Sequence, residues 1–340
     1  MKSVIIKTLK LLLATFISIV FCYLAFRDVD IKSVYKIILD IKYHYVLAAL
    51  LTVVIAQVLR SIRWGVMLRP IEPLNQKLLF PISSVGFMSI VLLPLRLGEL
   101  VRPYLLNRNS KITMSSGIAT IVLERILDSI CILALFSITF SSLELPGWIL
   151  KGVIFFVITV FTLISVLLLG TLRWVNQKFY QIIYKIFPHK LAHLTNTMME
   201  SFYQGLHVLG KGRHAFSIIL LTASIWGFFV IYYALLLKAF QIHLGMYAAL
   251  TILVLIALGI SVPAGPGFVG NYHFFCVLAL SFFGIGKETS LSYALVTHAL
   301  FIGIFVMLGI LSINLSSLKW KIKFSEIFNA GSNTYTNKEI

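Results

Sequence analysis

Three charged residues spaced by three, Arg96, Glu99 and Arg102, stand in the stretch LLPLRLGELVRPYLL (residues 92–106), among two prolines and a glycine. On a helix that spacing puts them on one face. Two guanidiniums offer planar forks that fit a phosphate, and the free amides of a helix that starts at Gly98 are aimed at the same anion. Glu99 is then a counter-ion or proton partner. A second group is ERILD, with Glu124, Arg125 and Asp128; Glu124 and Asp128 are four apart and share a face. A third is PAGPGFVGNYHFF, where Pro263, Gly265, Pro266, Gly267 and Gly270 break any helix. Asn271 and His273 are its polar groups. His273, at the tip of this turn, reads equally as a proton carrier or as a hydrogen-bonded core residue, whereas His298, in a smooth apolar run, reads as packing.

The segments that must hold these residues are apolar. The chain is 59% hydrophobic and 12% charged over 340 residues, which excludes a soluble globular protein. Runs long enough to cross ~30 Å of hydrocarbon read as Leu11 to Phe26, Tyr45 to Ile62, Ile112 to Phe140, Val153 to Gly170, Phe216 to Leu237 and Leu291 to Leu315. The first lacks a small-x-small cleavage pattern and reads as a retained helix. Lysine and arginine resist translocation. They gather at the N-terminus, from Arg60 to Lys77, from Arg96 to Lys111, in residues 171 to 214 and after Leu318. Those segments are expected on the cytoplasmic side, with both termini, in the cytoplasmic (inner) membrane.

Parity then constrains two stretches. Leu78 to Leu93 has a basic flank on both sides, so it is expected to enter and return, turning at Pro94 to Gly98. Met246 to Phe283 starts and ends outside, so it forms a second hairpin turning at Pro263 to Gly270, or makes two short crossings. The fold class expected is all-α: a polytopic helical membrane protein with about six full spans and two re-entrant or broken hairpins. One integral membrane domain covers 1–318. Its halves, 1–145 and 146–318, each read span, span, hairpin, span from opposite sides, an inverted-topology repeat of the kind that brings broken helices together near the midplane. An amphipathic cytoplasmic insert is expected at 171–214 and a polar, disordered tail at 319–340.

Each site has a plainer reading. Arg96, Glu99 and Arg102 as a solvated loop would also leave Leu92, Leu93, Leu95, Leu97, Leu100 and Val101 facing water. At membrane depth their charges are functional by default. Glu124 lies about 12 residues into its span, roughly 18 Å at 1.5 Å per residue, which favours a buried network with Arg96 or Arg102 over a cap near the headgroups. Gln57, Arg60, Arg63 and Trp64 read as snorkelling arginines and an interfacial tryptophan. Cys22, Cys131 and Cys276 read as free buried thiols. The charge of +17 is spread through the loops and points to anionic lipid rather than nucleic acid. Phosphate-loop, GxGxxG, HExxH, nucleophile-elbow and CxxC patterns are missing, so no metal, cofactor or catalytic residue is expected.

LPLRLGELVRPYLL resembles the P-x-R-x-G-E-x-x-R signature of the lysylphosphatidylglycerol synthase transmembrane-region family, a flippase-like membrane domain. LERILDSI resembles its E-R-x-x-D segment and SIRWGVML its R-W element. PAGPGFVGNYH is similar to a second family loop, with Phe268 in place of a glycine and His273 where many members have glutamate. The resemblance implies translocation of a phosphate-bearing or otherwise charged lipid between leaflets. This chain looks like a stand-alone member without an aminoacyltransferase domain. Its partners would be membrane lipids with anionic or lipid-linked headgroups, and a separate lipid-modifying enzyme. A membrane-embedded transferase acting on a polyprenyl-phosphate substrate, with Glu99 or Asp128 as its carboxylate, is the alternative, and a scaffold subunit the third.

Overall fold

Asp30 and Asn75 show how helix starts are fixed in this chain. Asp30 accepts the Lys32 amide at 3.0 Å and the Ser33 amide at 3.3 Å, and Asn75 accepts the Lys77 amide at 3.0 Å. Each satisfies donors that a first helical turn leaves free. The computed structural model describes residues 2–140, 146–169, 212–262 and 265–320, and among them every regular element is helical. The expected tail lies almost wholly outside the described residues. Of the expected insert only residues 212–214 are described, and Pro263 is not.

The elements run α1 (Lys2–Phe26), α2 (Ile31–Leu39), α3 (Tyr43–Leu68), α4 (Gln76–Leu92), a 3-10 segment (Pro94–Leu100), α5 (Val101–Asn109) and α6 (Met114–Phe140). After α7 (Gly147–Leu169) come α8 (Gly212–Ala239), α9 (Met246–Gly259), a 3-10 turn (Pro266–Phe268), α10 (Asn271–Ser281) and α11 (Lys287–Leu315). By length and composition Tyr43–Leu68, His214–Ala239 and Lys287–Leu315 can each cross a membrane. The 27 residues of α6 are as long but carry Glu124, Arg125 and Asp128.

One order occurs twice. Helices of 26 and 17 residues (α3, α4), a break, then helices of 9 and 27 residues (α5, α6) are followed by helices of 28 and 14 (α8, α9), a break, then 11 and 29 (α10, α11). The helices α3 and α8 pack on each other along their lengths, α4 packs on α11, α9 packs on α6, and the two breaks touch. Ala49, Val53 and Ala56 line α3 where it meets this core, and small residues let backbones approach closely when both helices are apolar all round. Buried tyrosines tie α8 to α11. Tyr232 donates its hydroxyl to the Thr297 carbonyl at 2.6 Å and Tyr293 donates to the Tyr233 carbonyl at 2.8 Å, as an aromatic hydroxyl must when it leaves water.

Backbone chemistry sets both breaks. Pro94 cannot donate and pushes Leu93 into an extended conformation (φ −94°, ψ 139°), which ends α4. Gly98 crosses the backbone of Ser89 and Ile90 so closely that a Cβ would overlap it. In the second break Gly267 and Gly270 have φ of +67° and +89°, and a Cβ on Gly270 would overlap the Ser18 carbonyl. Glycine is the residue that meets both demands. Arg96 and Phe268 also adopt left-handed backbone, φ +56° and +57°.

Candidate functional site

Glu124 and Asp128 share a face of α6, and each is met by one arginine from a different helix. Arg102, on α5, places Nη1 at 2.6 Å from Glu124 Oε2 and Nη2 at 3.4 Å from Oε1. Arg63, on α3, donates from Nη1 to Asp128 Oδ1 at 2.7 Å and from Nη2 to Oδ2 at 3.3 Å. Arg63 Nη1 also donates to the Thr222 hydroxyl of α8 at 2.9 Å, and Arg63 Nη2 lies 4.0 Å from Glu124 Oε1. Arg63, Arg102 and Glu124 are each 1% exposed. A lone charge at a membrane helix centre costs ~2.5–3.5 kcal/mol on insertion scales, so pairing and forked hydrogen bonds are what make this burial tolerable.

The neighbours complete the pairs. The Arg102 guanidinium lies 4.3 Å from the Trp64 ring and 5.3 Å from that of Phe87. Trp64 donates Nε1 to the Thr120 hydroxyl at 3.1 Å. Gly86 of α4 lets the Arg102 stem pass, because a Cβ there would overlap Arg102 Cγ. Arg125 points elsewhere: its Nη2 is 3.8 Å from Asp128 Oδ2 and its side chain is partly exposed. Trp226 of α8 donates Nε1 to Asp128 Oδ1 at 3.4 Å.

Arg96, Glu99 and Arg102 do not present one face. Arg96 keeps Glu99 beside it, but its left-handed backbone (φ +56°) breaks the helical path and α5 starts only at Val101, so Arg102 turns to Glu124 while Arg96 turns to the second break. Arg96 Nη2 donates to the Ile260 carbonyl at 2.9 Å and its guanidinium lies 5.6 Å from the Phe268 ring. Glu99 Oε1 is 3.8 Å from Arg96 Nη1. Ile260 caps the C-terminus of α9, where carbonyls lack helical donors and the helix dipole is negative, so a guanidinium fits. Asn271 does the same work, donating to the carbonyls of Gly259 at 3.1 Å and Val262 at 3.4 Å. Its Oδ1 is buried without a partner among the described residues.

His273 is buried and accepts the Gly270 amide on Nδ1 at 3.4 Å. Its ring meets that of His298 edge-on at 4.9 Å, and His298 stacks on Tyr272 at 4.2 Å. Gly265 donates to the Ser18 hydroxyl at 2.8 Å, which ties the second break to α1. Gly267 is buried, while Pro266 is exposed. Cys22, Cys131 and Cys276 are free, and Cys276 alone is fully buried.

Arg63 and Trp64, expected to snorkel to an interface, do not: both are buried, enclosed at the centre of the network. Arg60, one turn earlier, is half-buried with its guanidinium 4.5 Å from the Phe87 ring, 4.7 Å from Phe229 and 5.9 Å from Phe305. A signal for this was present in the sequence. Gln57 and Ser61 flank these arginines, and polar side chains on that scale do not face hydrocarbon; Gln57 meets Ser83 of α4 at 3.2 Å.

A helical bundle with apolar helices long enough to cross a bilayer and a buried arginine–carboxylate network is an integral membrane protein. The model of the family described as the lysylphosphatidylglycerol synthase TM region matches residues 10–309, and the chain belongs to that family. It is 22% identical to a UPF0104 membrane protein of Methanothermobacter thermautotrophicus over 289 residues, which cover 79% of this chain and 84% of the relative. No solved structure matches the chain.

Proposed function

We propose that the chain moves a phosphate-bearing or otherwise charged amphiphilic lipid between the leaflets of the cytoplasmic membrane, with both of its termini on the cytoplasmic side. The observation that carries this reading is the contact between the two helix breaks beside the buried charges, with Arg96 of one break held on the Ile260 carbonyl at the other. Broken backbone and charge at membrane depth are stable only against protein or a water-lined path. An apolar cleft of about 550 Å³, lined by Phe21, Trp148, Phe156, Leu258, Ser261 and Val262, reaches the second break. Acyl or prenyl chains would run there while the headgroup meets the arginines. The twice-repeated order of helices, and the exchange of partners in which α4 packs on α11 and α9 on α6, support an inverted repeat with each break entering from its own side.

Reconstitution tests it. Labelled lipids in one leaflet of proteoliposomes are followed as they cross, for wild type, Glu99→Gln and Arg125→Gln. Both positions are partly exposed, so the fold should tolerate the changes. Exchange is expected to fall at least ~10-fold in each variant, the loss of one charge-assisted contact. Equal exchange in all three proteins removes the site from the mechanism. Headgroup release without exchange makes the protein a transferase instead.

A further inference from the structure

Five arginines and three carboxylates form one electrostatic network. Arg63, Arg96 and Arg102 each have a carboxylate of their own in Asp128, Glu99 and Glu124. Arg125 is a second cation on Asp128, at 3.8 Å. Arg60 has no ion pair or hydrogen bond among the described residues. It is held by the faces of three phenylalanines, which stabilise a cation without neutralising it. Arg60 lies within electrostatic reach of Asp128 and then of Arg125 and Arg63, and Arg96 of Glu99 and then of Arg125, so the five cations share three carboxylates. Among the described residues the network carries two positive charges more than negative ones.

The surplus has an outlet. Arg60 lines a cavity of about 90 Å³ whose other walls include Phe229, Tyr272, His298, Phe268 and Trp226. That is room for several waters, at ~10–15 Å³ each, or for one compact anion. Tyr272, whose hydroxyl pairs with that of Tyr233 at 3.2 Å, and His298 are its other polar walls, and Phe268 belongs to the second break. We propose that this cavity receives a phosphate monoester, a headgroup that brings close to two negative charges, with Arg60 as its cationic contact and Arg125, outside the cavity wall, adding to the positive field around it. A phosphodiester brings one charge and leaves the network cationic, and a zwitterionic headgroup leaves it unchanged. The inference rests on the lipid reading above for its setting, and names the class of headgroup.

Binding separates the two. Wild-type protein in nanodiscs of neutral lipid is titrated at pH 8 with dioctanoyl phosphatidic acid, dioctanoyl phosphatidylglycerol and inorganic phosphate. The phosphomonoester lipid is expected to bind at least ~10-fold more tightly than the phosphodiester. Arg60→Gln should bring that preference down to within ~3-fold, and Arg60→Lys, which keeps the charge, should retain it. Arg125→Gln should weaken the preference in the same direction and provides the charge removal should Arg60→Gln fail to fold. Equal affinity for the two lipids in wild type, or an undiminished preference in Arg60→Gln, overturns the proposal. Inorganic phosphate binding as tightly as the lipid, and lost in Arg60→Gln, retains the anion site and overturns its assignment to a lipid. Leaflet exchange is scored separately: preference without exchange sinks transport and keeps this site, and exchange without binding preference does the reverse.

Discussion

Removing Glu124 should destabilise the protein more than removing Arg102, and removing both should destabilise it least. Without Arg102, Glu124 still has Arg63 Nη2 at 4.0 Å. At an effective dielectric of ~20 a pair at about 4 Å is worth ~4 kcal/mol, so much of the carboxylate's burial stays compensated. Without Glu124, Arg102 keeps, among the described residues, the rings of Trp64 and Phe87, and cation–π contacts supply ~2 kcal/mol at desolvated sites of this kind. Breaking a buried pair costs ~3–5 kcal/mol, and replacing both partners with apolar residues of similar volume is often neutral. Methionine matches the length of both stems. Arg102→Met is therefore expected at about 3 kcal/mol and Glu124→Met at about 5 kcal/mol, the two ends of that range. The double variant should lie within ~1–2 kcal/mol of wild type, because Arg63 and Asp128 keep their own fork. Thermal unfolding of the purified protein, followed by tryptophan fluorescence with Trp64 inside the network, reads the order. A double variant that unfolds at or below the temperature of the worse single variant refutes the pairing. The reverse order of the two singles refutes the role given to Arg63.

Three further outcomes are expected. Arg63→Lys exchanges a fork shared between Asp128 and Thr222 for a point charge and should cost ~1.5–3 kcal/mol, again read by thermal unfolding. Gly86→Ala drives a Cβ into the Arg102 stem; overpacking of this kind costs ~1–3 kcal/mol, and in the Arg102→Ala background the penalty should vanish, which double-variant melting curves check. At α2 the Ser33 hydroxyl first, and then the Lys32 amide, hold the Asp30 carboxyl below its usual value. A depressed folded value gives stability that is present above the unfolded value of ~3.9 and lost as pH falls through the folded one. Protection of the Lys32 and Ser33 amides, taken as exchange relative to the intrinsic rate at each pH, should therefore hold at about pH 4 to 5 and fall below, and Asp30→Asn should abolish that fall.

Much of this architecture is written in local chemistry. Apolar runs, caps and the Pro/Gly clusters at 94–98 and 263–270 depend on which atoms can leave water and which backbone groups can pair, and a chain's own neighbours decide both. Glu124 and Asp128 sharing a face follows from their spacing of four, and Glu124 being buried follows from its depth in a long apolar run. The partners of those carboxylates do not follow. Arg102 and Arg96 are six residues apart, yet the left-handed backbone at Arg96 and the separate start of α5 turn one toward α6 and the other onto the end of α9. Arg63 and Trp64 have the sequence signature of a membrane interface, and only the packing of α3 between α6 and α8 encloses them. Arg60 has no ion pair among the described residues for the same reason. Which cation meets which carboxylate depends on distances between helices far apart in the chain, and that is decided by tertiary packing alone.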